Sequence, residues 1–497
     1  MDCNKIKKMK KTNLKSPAAY CPPFPGKLSI IALMPFSDFS VNEFKVVLTE
    51  LHECGFNLIK QEVPPLGIVQ EKDNITFIRP CTVDSILKHI EKSSQLANSL
   101  KVILSQDLIV KNTIDWLYNI DISKCIEQYQ NSPYVYAWEI ANSPSWHQWS
   151  SDDKVGENKN NLIEEAYCLT VNADSDHPVF TTLPFPGLDI GSGGGTNQYY
   201  LDRMSYEEYF GKFDSHLPSS LLAYNPQLTK QSVTIPKYER MISCQEETYS
   251  MLKFFMQSSL KLDRDKPFHR VPFWACCTNE TDTYGNNSDD SAYRKMLWCA
   301  FNALAYGAQG LSFHASLCRT SVSGDKNTTE VSVRDVRAVL SEIKKFENIF
   351  AGCSVNKIVH ALKNPVTDSV SEIENLDSDA TAEDCGYDYS DLPIFSTAIG
   401  PVLNVSPEGI GVLVSHICSG NSDYVVFVNH SVTHEQKVTV ELQYDGFQFH
   451  WVYGAENGQE VNVLEGVSMS GTTIDSFYIA PGGCKIMKFT DIYFKAI

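Results

Sequence analysis

Tyr134-Val135-Tyr136-Ala137-Trp138-Glu139-Ile140-Ala141-Asn142-Ser143-Pro144 is the stretch whose reading decides the fold. Within it Val135–Asn142 is rich in aromatic and β-branched side chains, and Ser143-Pro144 closes the run. That composition fits a buried strand ended by a turn. Runs of the same kind recur on both sides: Lys27–Met34, Asn57–Val63, Lys101–Ser105, Val179–Leu183, Ser220–Tyr224, Val271–Cys277 and Gly310–His314. Between them stand helical patterns at Val41–Cys54, Val83–Leu96, Cys244–Leu260 and Tyr293–Tyr306, and a last one at Val333–Phe350. In the first of these, Phe44, Val47, Leu48 and Leu51 fall on one helical face. Eight strands alternating with helices predict an α/β fold, a (β/α)8 TIM barrel over residues 26–351. A doubly wound open sheet is the rival, but it would more often carry a glycine fingerprint after its first strand, where Pro35-Phe36-Ser37 stands.

Working outward, residues 1–25 read as a flexible N-terminal segment ending at Pro22-Pro23 and Pro25. Beyond 351 the period changes. Tyr424–Asn429, Gln436–Leu442, Phe447–Tyr453 and Cys484–Phe489 are short β runs separated by Gly, Asn and Asp. Residues 352–497 are therefore expected to form an antiparallel β-sandwich. Within them, 364–400 holds nine acidic residues and no Lys or Arg. This is expected to be a solvated acidic loop; its spacing is not that of an EF-hand.

The chain has 497 residues, 43% hydrophobic and 21% charged, enough apolar content for a large core. Its formal charge of −18 argues against a nucleic-acid partner, since phosphates are repelled. No apolar run is long enough to span a bilayer. The fifteen cysteines show no CxxC pair and no zinc-ligand spacing, so neither a disulfide framework nor a metal is expected. No motif points to a cofactor: G-x-S-x-G, H-E-x-x-H and the Walker sequence are all missing, and Gly191–Gly195 lacks the Lys-Ser/Thr of a phosphate cradle. The basic N-terminus (Lys5, Lys7, Lys8, Lys10, Lys11) is not followed by an apolar segment, which favours a cytoplasmic chain. Sequons at Asn74, Asn279, Asn286, Asn327, Asn404 and Asn429 point toward secretion, so the compartment stays open.

Function in such a barrel sits at the C-terminal ends of the strands. The fourth-strand segment, with Trp138, Glu139, Asn142 and Pro144, resembles the W-E-x-x-N-E-P motif of the clan A retaining glycoside hydrolases. Val271-Pro272-Phe273-Trp274-Ala275-Cys276-Cys277 resembles the stretch that carries the clan's nucleophile. Arg294, Trp298, Ala303–Gly310 and Ser312-Phe313-His314 look like the corresponding segment of barrel β-galactosidases, which also carry a C-terminal β-domain.

The resemblance implies a glycoside-hydrolase fold, a carbohydrate ligand and two catalytic glutamates. Those two positions fall on Ser143 and Cys277, or on a neighbour of Cys277 if the register slips by one. A serine hydroxyl is a poor general acid, and a cysteine attacks only as a thiolate. Two readings of Cys277 stay open: a nucleophile paired with His314, or a small buried residue closing a pocket. Glu280, Asp282 and Asp107 could supply relocated carboxylates, each being otherwise a loop carboxylate. Glu139 is expected to be buried and hydrogen-bonded. Asn142, Trp146, Trp149, Tyr224, Trp274 and His314 are the expected sugar contacts, because aromatic faces beside polar groups suit a sugar ring. Trp274 and Phe313 read equally well as barrel core. The expected function is a glycoside-hydrolase-like protein with a degenerate site, binding a carbohydrate or serving as a scaffold for a protein partner. The alternative is an active β-galactosidase-like hydrolase using relocated carboxylates.

Overall fold

The computed structural model describes residues 22–33, 41–63, 83–106, 122–142, 166, 169–183, 221–224, 273–277, 289–314, 333–362, 395–409, 411–432, 434–444, 446–456, 459–463 and 471–491. Eight parallel strands come first: β1 (Ser29–Leu33), β2 (Leu58–Glu62), β3 (Lys101–Ser105), β4 (Val135–Asn142), β5 (Val179–Leu183), β6 (Leu221–Tyr224), β7 (Phe273–Cys277) and β8 (Gly310–His314). Each pairs with the next in chain order, and β8 pairs back onto β1 through Ser29↔Gly310 to Leu33↔His314. The described helices are α1 (Val41–Cys54), α2 (Val83–Lys92), α3 (Ile122–Tyr129), α4 (Asp289–Ala305), α5 (Val333–Lys344) and α6 (Glu347–Phe350). The helix expected over Cys244–Leu260 lies outside the described residues, as does the acidic stretch between 364 and 394.

Two expectations need correction. Ile122–Tyr129 is helical although no helix is expected there. The single helix expected from Val333 to Phe350 is two, because Phe346 leaves helical geometry at φ −120° and packs edge-on against Phe301, ring centres 6.1 Å apart.

The strands are short and buried on both faces, as a parallel barrel requires. Alternation sorts their side chains. Ile30, Ala32, Ile59, Val102, Leu104, Trp138, Ile140, Leu311 and Phe313 join the apolar layer under the helices. Ile31, Leu58, Ile103, Tyr136, Ala137 and Trp274 form a separate cluster within the barrel. Trp138 is fixed outward by its indole N–H, which donates to Asp174 Oδ2 at 2.8 Å. Burial opposes the charge of Asp174, but hydrogen bonds from His177 and Trp138 outweigh it and hold the carboxyl below its ordinary value.

The second part is all antiparallel. A three-stranded sheet runs β10 (Val402–Pro407), β13 (Gln436–Gln443), β16 (Thr472–Ile479). A six-stranded sheet runs β15 (Gln459–Val463), β14 (Phe447–Glu456), β17 (Cys484–Asp491), β12 (Ser422–Asn429), β11 (Val412–Ser419), β9 (Ser354–Ala361). One face of the six-stranded sheet (Val412, Val414, Val425, Phe427) joins Val438, Val440 and Leu442 of the smaller sheet in a sandwich core. Its other face (Leu413, Ile417, Tyr424, Val426, Val428) belongs to the same cluster as the helix layer of the barrel.

That junction is close-fitting. Gly482 has φ +68°, and a Cβ there would lie 2.4 Å from the Arg294 carbonyl oxygen of α4, so only glycine allows the approach. Ser415 Oγ donates to the Ala305 carbonyl at 2.7 Å, satisfying a helix-end acceptor. Just past α4, the buried Tyr306 hydroxyl lies 3.0 Å from His360 Nε2, and His360 Nδ1 lies 3.1 Å from His430 Nε2. Burial pushes the Tyr306 phenol up, so it keeps its proton, and pushes His430 down to about 3, so its ring stays neutral.

Candidate active site in the barrel

Parallel strands bring their C-terminal ends to one rim, so Asn142, Tyr224, Cys277 and His314, the last residues of β4, β6, β7 and β8, share that end of the barrel. For Asn142, Tyr224 and His314 the backbone alone is described. Ser143, Trp146, Trp149, Asp107, Glu280 and Asp282 lie outside the described residues.

The interior is built in layers. The floor is apolar: Trp274 stacks on Tyr136 with ring centres 6.2 Å apart and planes 16° from parallel. Gly310 makes room for the indole, since a Cβ there would meet both Trp274 Cδ1 and Ser29 Cβ at 2.8 Å. Burying such side chains contributes about 1.5–3 kcal/mol each for the aliphatic and Phe-sized ones.

Above the floor the inward positions turn polar. On β2, alternation from Leu58 puts Lys60 and Glu62 on the inner face; on β3, Ser105 follows Ile103. Glu139 is level with Ser105, which is level with Glu62. Lys60 Nζ sits 2.9 Å from each carboxylate oxygen of Glu139, whose side chain is 0% exposed. The buried, hydrogen-bonded Glu139 read from the sequence is therefore found, but its partner, Lys60, was not foreseen. Charges removed from water this way hold only if each satisfies the other. Glu62, equally unforeseen, adds a second carboxylate to the same rung two strands away, a backbone separation of roughly 9–10 Å.

Two expected site residues behave differently in the structure. Trp274 is 1% exposed within the floor cluster, in keeping with the barrel-core reading of it. Cys277 is 0% exposed and belongs to the outer apolar layer with Ala275, on the strand face opposite Trp274. Of the two readings of Cys277, this burial favours the small residue packed in an apolar layer. Phe313 likewise packs outward, edge-on to Phe56 at 6.1 Å.

Chemically, the described interior offers a neutralised Lys–Glu pair, one further carboxylate and the serines Ser29, Ser105 and Ser312. A retaining glycosidase needs two carboxyls about 5 Å apart, one of them unencumbered enough to attack. Among the described residues, β7 supplies none.

No protein-family model and no curated protein matches the sequence. Solved structures do match by fold. One, a glycoside hydrolase, aligns over 96% of this chain and 97% of its own, with a TM-score of 0.51 and 9% identity. A β-galactosidase from Bacillus circulans sp. alkalophilus covers 94% of this chain and 100% of its own at a TM-score of 0.49 and 9% identity. A cold-adapted β-galactosidase from Rahnella sp. R3 covers 96% and 100%, at 0.45 and 11%. The first of these alignments shows a likeness of fold that extends over nearly the whole chain.

Proposed function

We propose that this chain is a glycoside-hydrolase-like protein, a (β/α)8 barrel with a β-sandwich, whose barrel mouth binds a carbohydrate without the standard retaining hydrolysis. The observation that carries this reading is that β7 holds no carboxylate while the one on β4 is already paired. Strand β7 ends in Trp274-Ala275-Cys276-Cys277, with no carboxylate, and Cys277 is packed among apolar side chains. On β4, the buried Glu139 is held by Lys60, and the next expected acid position is Ser143. Without a proton donor and a nucleophile the glycosidic bond is not cleaved, while the sequence at and after the strand ends keeps Asn142, Trp146, Trp149, Tyr224 and His314, residue types that suit sugar hydroxyls and ring faces.

The test combines turnover and binding. Chromogenic β-galactosides and β-mannosides should give no turnover above a buffer blank, while calorimetric titration with the matching oligosaccharides gives saturable binding weakened by Trp146→Ala. Clear turnover by the purified unmodified chain would overturn the reading. Restoration is tried in both registers, Ser143→Glu with Cys277→Glu and Ser143→Glu with Cys276→Glu. Cys277→Glu is expected to destabilise the fold, because a carboxylate there enters an apolar layer at a cost of several kcal/mol.

A second reading, hydrolysis by relocated carboxylates, is favoured by one feature: Glu62 and Glu139 share an interior rung, at a spacing nearer the inverting than the retaining arrangement. It requires Lys60 to release Glu139. Loss of any trace turnover in Glu62→Gln would separate it from contamination.

A further inference from the structure

We infer that the rim of the β-sandwich carries a transition-metal site, made by His416, Cys418 and Asp423 at the β11–β12 hairpin. The face of the six-stranded sheet that meets the smaller sheet runs Val412, Val414 along β11 and Phe427, Val425 along β12. Continuing each row by period two gives His416 and Cys418 on one strand and Asp423 on the other. Cys418 and Asp423 are directly opposed in the ladder, so the hairpin itself sets the three side chains on one patch. Where the sandwich narrows to its edge, the inward rows therefore switch from apolar residues to three metal-type donors.

The donor atoms converge. His416 Nε2 lies 3.0 Å from Asp423 Oδ1, Cys418 Sγ lies 2.8 Å from the same oxygen, and Sγ to Nε2 is 4.0 Å. All three ligand atoms fall within 4.8 Å of one another. Bond lengths of about 2.0–2.3 Å around a tetrahedral zinc imply donor–donor edges of about 3.3–3.7 Å, so each distance lies within about 1 Å of what the ion demands. Part-exposed side chains on a hairpin can adjust by that much: the His416 and Asp423 side chains are 20% and 41% exposed. The His416 ring is also steadied by Phe489, centres 5.3 Å apart.

The donor set selects the ion. One thiolate, one imidazole and one carboxylate suit Zn2+ or a neighbouring late first-row ion; Ca2+ and Mg2+ want oxygen alone. With the thiol proton given up to solvent, the two anionic ligands cancel the charge of a divalent ion. Three protein ligands leave a fourth position for water, and Asn356 stands beside them, its side-chain amide donating to Cys418 Sγ at 2.9 Å. Bound metal would tie β11 to β12 at the tip of the hairpin.

The test is a Co2+ titration of the full-length chain under reduction. One equivalent should produce a near-ultraviolet thiolate-to-cobalt charge-transfer band, and Zn2+ should displace it. Cys418→Ser should abolish the band, while Cys484→Ser, elsewhere on the same sheet, should leave it intact. Zn2+ should raise the thermal midpoint of the unmodified chain and not of Cys418→Ser. Asp423→Asn, which changes one atom on a part-exposed side chain, should weaken Zn2+ at least about tenfold and guards against a folding failure in the cysteine variant. A band that survives in Cys418→Ser, or cobalt binding that never produces one, overturns the site.

Discussion

Two of the buried polar assemblies among the described residues solve the same problem in opposite ways. Inside the barrel, Lys60 and Glu139 meet as an ion pair, each charge dependent on the other. At the junction of barrel and sandwich, Tyr306, His360 and His430 form a hydrogen-bonded chain in which Tyr306 and His430 are held neutral by burial. The difference follows from location. The barrel pair stands one layer above an apolar floor, toward the C-terminal ends of the strands, and Lys60 keeps 12% of its side chain exposed. The junction chain is sealed between α4 and the six-stranded sheet, where an uncompensated charge would have no water to recover.

The largest effect expected from this contrast is at Glu139. Glu139→Ala leaves an ammonium in the barrel without its carboxylate and should cost about 3–5 kcal/mol in urea unfolding. Replacing both partners by apolar residues of similar size, Lys60→Met with Glu139→Leu, should recover most of that. Equal losses in the single and double variants would break the comparison, because the pair would then act by packing and not by charge.

Next in size is the response to acid. The unfolded chain presents His430 with an ordinary pKa of 6.5, whereas the folded value is about 3. Below pH 6.5 the unfolded state takes up a proton that the folded state refuses, so stability present above 6.5 falls with pH, by about 1.4 kcal/mol per unit, down to about 3. Unfolding free energies at pH 7 and 5 compared between the unmodified chain and His430→Gln should show this slope flattened in the variant. An unchanged slope would place the acid sensitivity elsewhere.

Smaller still is Tyr306→Phe. It deletes the hydroxyl facing His360 while keeping the ring, and should cost about 1–2 kcal/mol. The exposed pair of Lys345 and Glu342 is the baseline: Lys345→Ala should shift stability by no more than a few tenths of a kcal/mol, which the same urea curves would register as no change in midpoint.

Much of the fold was legible in the sequence because barrel strands announce themselves by local composition. The runs at Lys101–Ser105, Val135–Asn142, Val179–Leu183 and Gly310–His314 match the observed strands end for end. The helix at Ile122–Tyr129 escaped because its apolar residues are few: Ile122, Cys125, Ile126 and Tyr129 give a short face without a strong cap. The site was less legible for a different reason. Leu58-Ile59-Lys60-Gln61-Glu62 reads as a half-exposed strand, and nothing local says that Lys60 finds its partner 79 residues later. The direction of Cys277 was likewise hidden, since a shift of one residue on a strand exchanges the two faces and sequence spacing does not fix that phase. His416, Cys418 and Asp423 match no familiar metal spacing because a hairpin, not a helix turn or a tight loop, brings them together.

The cluster that runs unbroken from the helix layer into the six-stranded sheet has one further consequence. The barrel owes part of its outer wall to the second half of the chain, with Gly482 seated against the backbone of α4. The two halves are therefore not interchangeable modules. A chain cut after residue 351 would bare the surface that Leu413, Ile417, Val426 and Ile486 now cover, and calorimetry of the intact protein should record one melting event for both parts.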